Sequence, residues 1–336
     1  MSDALRHYTN EFRSRRDVSP YDAEVFFAAL IEERDEDLVT DLLTAWNGKG
    51  VTEDELYRFA SIMRSRMTPL DTAGKECVDI VGTGGSKAKT FNVSTAAAFV
   101  VAGAGIPVAK HGNRAATSKS GSSDVLSHLG INVDVAPARA QHNFEQHGIC
   151  FMFAPRHHSL SKTLAAARKR VQGPTIFNCI GPLCNPAGAQ YQLLGVWDER
   201  LLNSVSRVLH RFGTKRSWVV NNGGTLDEIG LAGKTKVVEV AGESLKGLEL
   251  TAGDFGMVGE MDAPQIRDPK TGAALIESLL KDEMRDSGAE QLLVMNAGAA
   301  ISLFNDRDLL ESVVIAREVL RSGAALGKLE AMRGKG

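Results

Sequence analysis

The chain has 336 residues, 43% of them hydrophobic, and a formal charge of −2. That length accommodates one large domain or two unequal ones with a real core. The near-neutral balance excludes the basic footprint of a general nucleic-acid binder, and no apolar run reaches membrane-spanning length.

The charged N-terminus carries no apolar leader, so the sequence reads as a cytoplasmic protein. Its first part is predicted helical. Ser19-Pro20 supplies an N-cap and first-turn proline for a helix running to Glu33, with Val25, Phe26, Ala29 and Leu30 on one stripe. A second helix covers residues 36–46 and stops at Gly48. Thr52 and Glu55 form a capping box for a third, which ends near Arg66. Short connections point to a small bundle, and residues 67–74 form a candidate linker.

Beyond the linker the pattern becomes strand–loop–helix. Strands are predicted at 78–81, 107–110, 149–153, 193–196, 218–220 and 237–240, with helices between them, for example at 200–211. Such alternation argues for a largely parallel sheet with helices on its faces. The first strand runs into Gly82-Thr-Gly-Gly-Ser86, followed by an alanine-rich helical run at 96–104. Glycines let backbone N–H groups approach an anion, and a helix N-terminus adds donors and a positive dipole end. With the hydroxyls of Ser86, Thr90, Ser94 and Thr95, the loop reads as a phosphate or pyrophosphate cradle. The alternative is a turn that serves packing only. The dinucleotide-binding fingerprint is half matched, and no G-x-x-x-x-G-K-[ST] loop occurs.

A second polar loop follows the next strand. It gathers cations, amides and hydroxyls around Gly112 and Gly121. Alone it would be a solvated loop. Two such loops after predicted strands place a ligand beyond the carboxyl ends of the sheet. The densest basic run is Arg168-Lys169-Arg170. Asp227-Glu228 follows the glycine turn Gly223-Gly224; it is either a solvated turn or an oxygen site for a hard cation. Cys77, Cys150, Cys179 and Cys184 form no C-x-x-C pair and read as buried thiols of a reducing compartment.

Five segments occur in one order: G-T-G-G with T-x-N-x-S-T, K-H-G-N-R-A with S-K-S-G-S-x-D, T-I-F-N-x-x-G-P-L-x-N-P, N-P-A-G-A, and L-D-E. Together they resemble the anthranilate phosphoribosyltransferases over residues 79–228, and the N-terminal helices and Asn296-Ala-Gly-Ala-Ala are similar too. The resemblance implies an α/β fold of the nucleoside phosphorylase/phosphoribosyltransferase type. A small helical domain (1–73, joined by part of 160–190) would sit beside a large α/β domain (74–336) with a mainly parallel sheet and the active site in the cleft between. It implies transfer of the phosphoribosyl group of phosphoribosyl pyrophosphate (PRPP) to the amine of anthranilate, in tryptophan biosynthesis, with Mg²⁺. It also implies a homodimer through the helical domain; Val25, Phe26 and Phe27, or Leu42, Leu43 and Trp46, would supply that surface or else fill the bundle core.

By the same resemblance, PRPP is held by Gly82, Gly85, Ser86, Thr90, Asn92, Val93, Ser94 and Thr95. The second loop contributes Lys110, His111, Gly112, Asn113, Arg114, Ala115, Ala116, Thr117, Ser118 and Ser122. Anthranilate meets Gly82, Asn113 and Arg168, with Arg170 as a competitor for the last role. Metal falls to Ser94, Asp227 and Glu228. No covalent nucleophile or general base is assigned. The chain departs from the family pattern at Ser86, where aspartate is usual, at Pro174, where arginine is common, and at Asn221-Asn222, where histidine is common. These departures leave open a relative with another acceptor, similar to pyrimidine nucleoside phosphorylases, or a non-catalytic nucleic-acid-binding paralogue.

Overall fold

The computed structural model describes residues 2–88, 90–114, 121–257, 264–266 and 268–334. Four helices open the chain: α1 (Ser2–Arg13), α2 (Ala23–Glu32), α3 (Glu36–Lys49) and α4 (Glu53–Arg66). Their apolar faces meet on a cluster of rings. Phe12 stacks on Trp46 at 4.9 Å, and Phe59 meets Trp46 edge-on at 5.0 Å; such pairs add to the burial that stabilises a small bundle. Thr52 and Glu55 form the expected capping box on α4.

Two helix boundaries differ from the expectation. α2 begins at Ala23, because Ser19-Pro20 lies in a turn where the Ser19 hydroxyl accepts from the Tyr21 N–H (3.3 Å). α3 runs through Gly48 and ends at Gly50, which has a positive φ of 89°. Its last turn is held by Lys49, whose ammonium lies 2.8 Å from the equally buried Glu55 carboxylate. Of the six residues considered for a dimer surface, Phe26, Phe27, Leu42, Leu43 and Trp46 are buried in the bundle core; Val25 is exposed.

The rest of the chain continues with β1 (Val78–Gly82), α5 (Val93–Gly103), β2 (Val108–Gly112), α6 (Ser122–His128), α7 (Pro137–His147) and β3 (Ile149–Phe153). Next come α8 (Ala154–His157), α9 (Lys162–Arg170), α10 (Ile176–Leu183), β4 (Tyr191–Gly195), α11 (Leu201–Arg211) and β5 (Arg216–Asn222). A hairpin, β6 (Thr235–Ala241) and β7 (Ser244–Leu250), precedes α12 (Pro269–Leu280), α13 (Gly288–Asn305), α14 (Leu309–Arg321) and α15 (Ala324–Arg333). The seven strands form one sheet in the order β3-β2-β1-β4-β5-β6-β7. The first five are parallel, and β6 and β7 are antiparallel at one edge. β7 was not foreseen: it is a largely exposed edge strand interrupted by Gly247, so its apolar alternation is weak.

Strand residues alternate between two layers. Val78, Ile80, Leu193 and Trp218 face α5 and α12–α15. Val81, Leu194 and Val219 face α10, α11 and the N-terminal bundle, and Leu164 and Ala167 of α9 join that second cluster. The linker is tied to neighbouring connections: Thr68 N–H donates to the His157 carbonyl (2.9 Å), and Leu70 N–H to the Pro186 carbonyl (2.9 Å). The sheet order reverses between β1 and β4, whose last residues Gly82 and Gly195 are register partners. Ligands of open α/β sheets collect beyond the carboxyl ends at such a point.

Candidate active site

The acid pair is threaded into this switch point through two glycines. A Cβ on Gly82 would stand 2.7 Å from Asp227 Oδ2, and one on Gly195 would collide with the Asp227 carbonyl. Asp227 accepts from the Gly84 N–H (2.9 Å) and from the Ser86 hydroxyl, and Glu228 accepts from Thr90 Oγ1 (2.7 Å). Buried amides hold the acid loop from behind. Asn221 donates to the Val196 carbonyl (2.7 Å) and accepts from Gly224 N–H (2.9 Å). Asn296 on α13 accepts from the Ile229 N–H (3.1 Å) and donates to the Ile229 carbonyl (2.9 Å).

The Gly-rich loop is shaped by its neighbours. Gly84 and Gly85 have positive φ (64° and 80°), and Pro174 fills the space a side chain on Gly85 would need, at 2.5 Å from that Cβ position. Asn178 of the T-I-F-N motif accepts from Thr175 N–H (3.0 Å) and donates to the Thr83 carbonyl (3.0 Å). Asn92 turns into α5 in the left-handed region. Asn92 and Ser94 then reach the cavity wall. Val93 and Thr95 do not: both are fully buried beneath the helix start, and the Thr95 N–H is taken by the Asn92 carbonyl (2.9 Å).

Lys110 is not a solvated lysine. Its side chain is buried, and its ammonium donates to the Ile80 carbonyl and to Ser94 Oγ (3.3 Å). Asp79 beside it accepts from Asn185 Nδ2 (2.7 Å) and the His111 N–H (3.3 Å). Burial outruns their mutual attraction: it pushes the Asp79 carboxyl up to about 6 and the Lys110 ammonium down to about 8. His111 Nδ1 faces the Gly181 carbonyl (3.2 Å) and therefore donates. Its Nε2 then accepts from His158 Nε2 (3.2 Å), and His158 Nδ1 is shielded from solvent, beside the Cys184 backbone. Burial, reinforced by the neighbouring imidazoles, holds His111 well below its usual range and His158 at about 4, so both rings are neutral at pH 7.

Gly112 gives room to the Ser122 hydroxyl. Asn113 and Arg114 are exposed at the mouth, with Arg114 3.9 Å from Asp124. Ala115, Ala116, Thr117 and Ser118 lie outside the described residues. Arg168 on α9 faces the cavity over the Phe177 ring (5.4 Å). Its Nε is shielded from solvent and finds no acceptor among the described residues, and burial lowers the guanidinium to about 10. Arg170 instead points outward and pairs with Asp37 (2.6 Å), and it does not line the cavity.

All these elements wall one cavity of about 1070 Å³. From the expected set it takes Gly82, Gly85, Ser86, Thr90, Asn92, Ser94, Lys110, His111, Gly112, Asn113, Arg114, Ser122, Arg168, Asp227 and Glu228. Sequence reasoning missed Gly84, whose N–H reaches Asp227, and also Gly195 and His158. His158 carried no periodic or motif signal. Among the described residues, no group of three or more His, Cys, Asp or Glu gathers as a metal cage. The oxygen donors Ser94, Asp227 and Glu228 nonetheless suit Mg²⁺, which takes one or two carboxylates and completes its shell with substrate phosphates.

A mainly parallel sheet with an anion-donor cleft at its switch point, backed by a helical bundle, defines an α/β glycosyl transferase, and residues 74–326 match the family model described as glycosyl transferase family, a/b domain. An anthranilate phosphoribosyltransferase of Natronomonas pharaonis is 38% identical over 98% of this chain and 99% of its own. One from Halalkalibacterium halodurans is 40% identical over 85% of this chain and 84% of its own. The crystal structure of the Thermus thermophilus enzyme of that name superposes with a TM-score of 0.85 at 34% identity, covering 97% of this chain and 99% of its own. That of Saccharomyces cerevisiae in complex with PRPP and Mg gives 0.87 at 26% identity, covering 98% and 96%. The chain belongs to the anthranilate phosphoribosyltransferase family. Among the described residues, no helix is long and apolar enough to cross a membrane, and all four cysteines are free and buried.

Proposed function

We propose that this chain transfers the phosphoribosyl group of PRPP to the amine of anthranilate, giving N-(5-phosphoribosyl)anthranilate and pyrophosphate, as a step of tryptophan biosynthesis. The observation that carries the reading is one cavity with two kinds of anion receptor. Donor-rich loops lie at the switch point, and a shielded guanidinium, Arg168, lines the same cavity with an Nε that finds no acceptor among the described residues.

The Gly82–Thr90 loop, the start of α5 and Lys110 take the diphosphate and ribose; Asn113, Arg114 and Ser122 complete that pocket. Once the diphosphate has taken these donors, they stabilise the charge that develops on it as it departs. Ser94, Asp227 and Glu228 would hold Mg²⁺, which when bound offsets the charge of the leaving group. Arg168 grips the carboxylate of anthranilate through charge-assisted hydrogen bonds. With Asn113 and the space at Gly82, this aligns the amine with the anomeric carbon. The amine is nucleophilic when neutral, so no covalent nucleophile is needed. The neutral His111–His158 pair brings no cation to that wall.

The chain acts in the cytoplasm as a homodimer in this reading. The exposed Tyr21 and Val25 on the bundle offer apolar surface for that association. Anthranilate fluorescence, followed with PRPP and Mg²⁺, tests the reaction. Decay that needs all three components supports it; decay indifferent to PRPP contradicts it.

A further inference from the structure

The donors that this reading gives to the diphosphate are already engaged by the acid pair. Gly84 N–H and the Ser86 hydroxyl point to Asp227, and the Thr90 hydroxyl points to Glu228. We propose that Asp227 and Glu228 act as an internal stand-in for the diphosphate. They latch the Gly-rich loop and must be drawn off these donors before a diphosphate can take them, so diphosphate and divalent cation bind as one cooperative unit. This inference rests on the function proposed above and adds an order to it.

The latch is fixed from both sides. Gly82 and Gly195 leave room for Asp227 and for little else, while Asn221 and Asn296 pin the backbone on either side of the acids. Those bonds hold the main chain of the acid loop beside the Gly-rich loop, so release of the three donors falls to rotation of the two carboxylates. A diphosphate approaching Gly84, Ser86 and Thr90 therefore meets two carboxylates at hydrogen-bonding range, and like charges at that range repel. A divalent cation reverses the sign of the encounter: it gives the carboxylates a new partner and frees the three donors together. By linkage, the factor by which the cation tightens diphosphate equals the factor by which diphosphate tightens the cation.

Calorimetric titration with inorganic pyrophosphate, in EDTA and in Mg²⁺, reads that factor directly. The parent protein is expected to bind pyrophosphate about a hundredfold more tightly with Mg²⁺ than in EDTA. In Asp227→Asn, affinity in EDTA rises about tenfold while affinity in Mg²⁺ falls, so the coupling collapses. Glu228→Ala, which releases Thr90, moves both affinities the same way and covers the case in which the first variant does not fold. Amide exchange separates a latch from simple repulsion: without pyrophosphate, the Gly84 N–H exchanges slowly in the parent and about tenfold faster in Asp227→Ala, which removes its acceptor. Equal exchange, or variants that keep the parent's coupling factor, overturns the latch and leaves the proposed function standing. A parent protein that fails to bind pyrophosphate even with Mg²⁺ overturns both.

Discussion

Gly195, the last residue of β4, lies directly under the backbone of Asp227: a methyl group at position 195 would occupy the space of the Asp227 carbonyl. Gly195 has no positive φ, so the requirement is one of room and not of backbone conformation. Gly195→Ala is expected to push the acid loop out of the cleft, costing about 1–3 kcal/mol as an overpacked site and most of the activity. Gly247→Ala, in open space on β7, is the control and should be neutral or stabilising by about 0.4–1 kcal/mol. Urea denaturation with parallel assays checks both. Full activity in Gly195→Ala would show that the acid loop does not depend on this contact.

Among the described residues Arg168 has no acid partner, and such charges cost stability while they serve a ligand. Arg168→Met should leave the melting temperature unchanged or higher. It should raise the KM for anthranilate by about 10- to 150-fold, the worth of a charge-assisted hydrogen bond of about 1.5–3 kcal/mol. The KM for PRPP should change far less. Equal rises in both KM values would place Arg168 outside the acceptor subsite.

The buried imidazole pair makes stability acid-sensitive. His158 titrates at about 4 in the fold, below its unfolded value of about 6.5. Between those values the unfolded chain binds more protons. The contribution of His158 is therefore complete above pH 6.5 and is lost as pH falls toward 4, on the order of 3 kcal/mol in all. Asp79 works against it over part of this range, because its raised pKa lets the folded chain bind the extra proton. His158→Gln can still donate to His111, and it should flatten the slope of stability between pH 6.5 and 4. An unaltered slope in denaturation series across that range would contradict the assignment.

Asn296 answers both backbone groups of Ile229, the residue after the acid pair. Asn296→Ala leaves them buried and unpaired, at a cost of about 2–4 kcal/mol. It should also raise the Mg²⁺ concentration needed for half-maximal turnover, which a purely structural lesion elsewhere would not. Unchanged Mg²⁺ dependence would detach Asn296 from the acid loop.

Much of this was legible before folding because it is local. The capping box at Thr52 and Glu55, the alternation of Val78 and Ile80 against Val81, and the glycine turn after β1 are properties of neighbours in sequence. Ser19-Pro20 misled, because a local helix-start signal yielded to a turn before Ala23. What sequence reading could not supply is contact at a distance. Gly84 meets Asp227 across 143 positions, Asn185 meets Asp79 across 106, and His158 meets His111 across 47. Asn296 and Asn221 stood out only as parts of a resemblance or a departure from it. Their work on the acid loop depends on packing that no spacing rule encodes.

The account turns on where the diphosphate sits. Diffraction from crystals soaked with PRPP and Mg²⁺ should place it between the Gly84–Thr90 turn and the carboxylates of Asp227 and Glu228, with the anomeric carbon facing Arg168 across the cavity. Density for the sugar diphosphate elsewhere, with Gly84, Ser86 and Thr90 still bound to the acids, would contradict it.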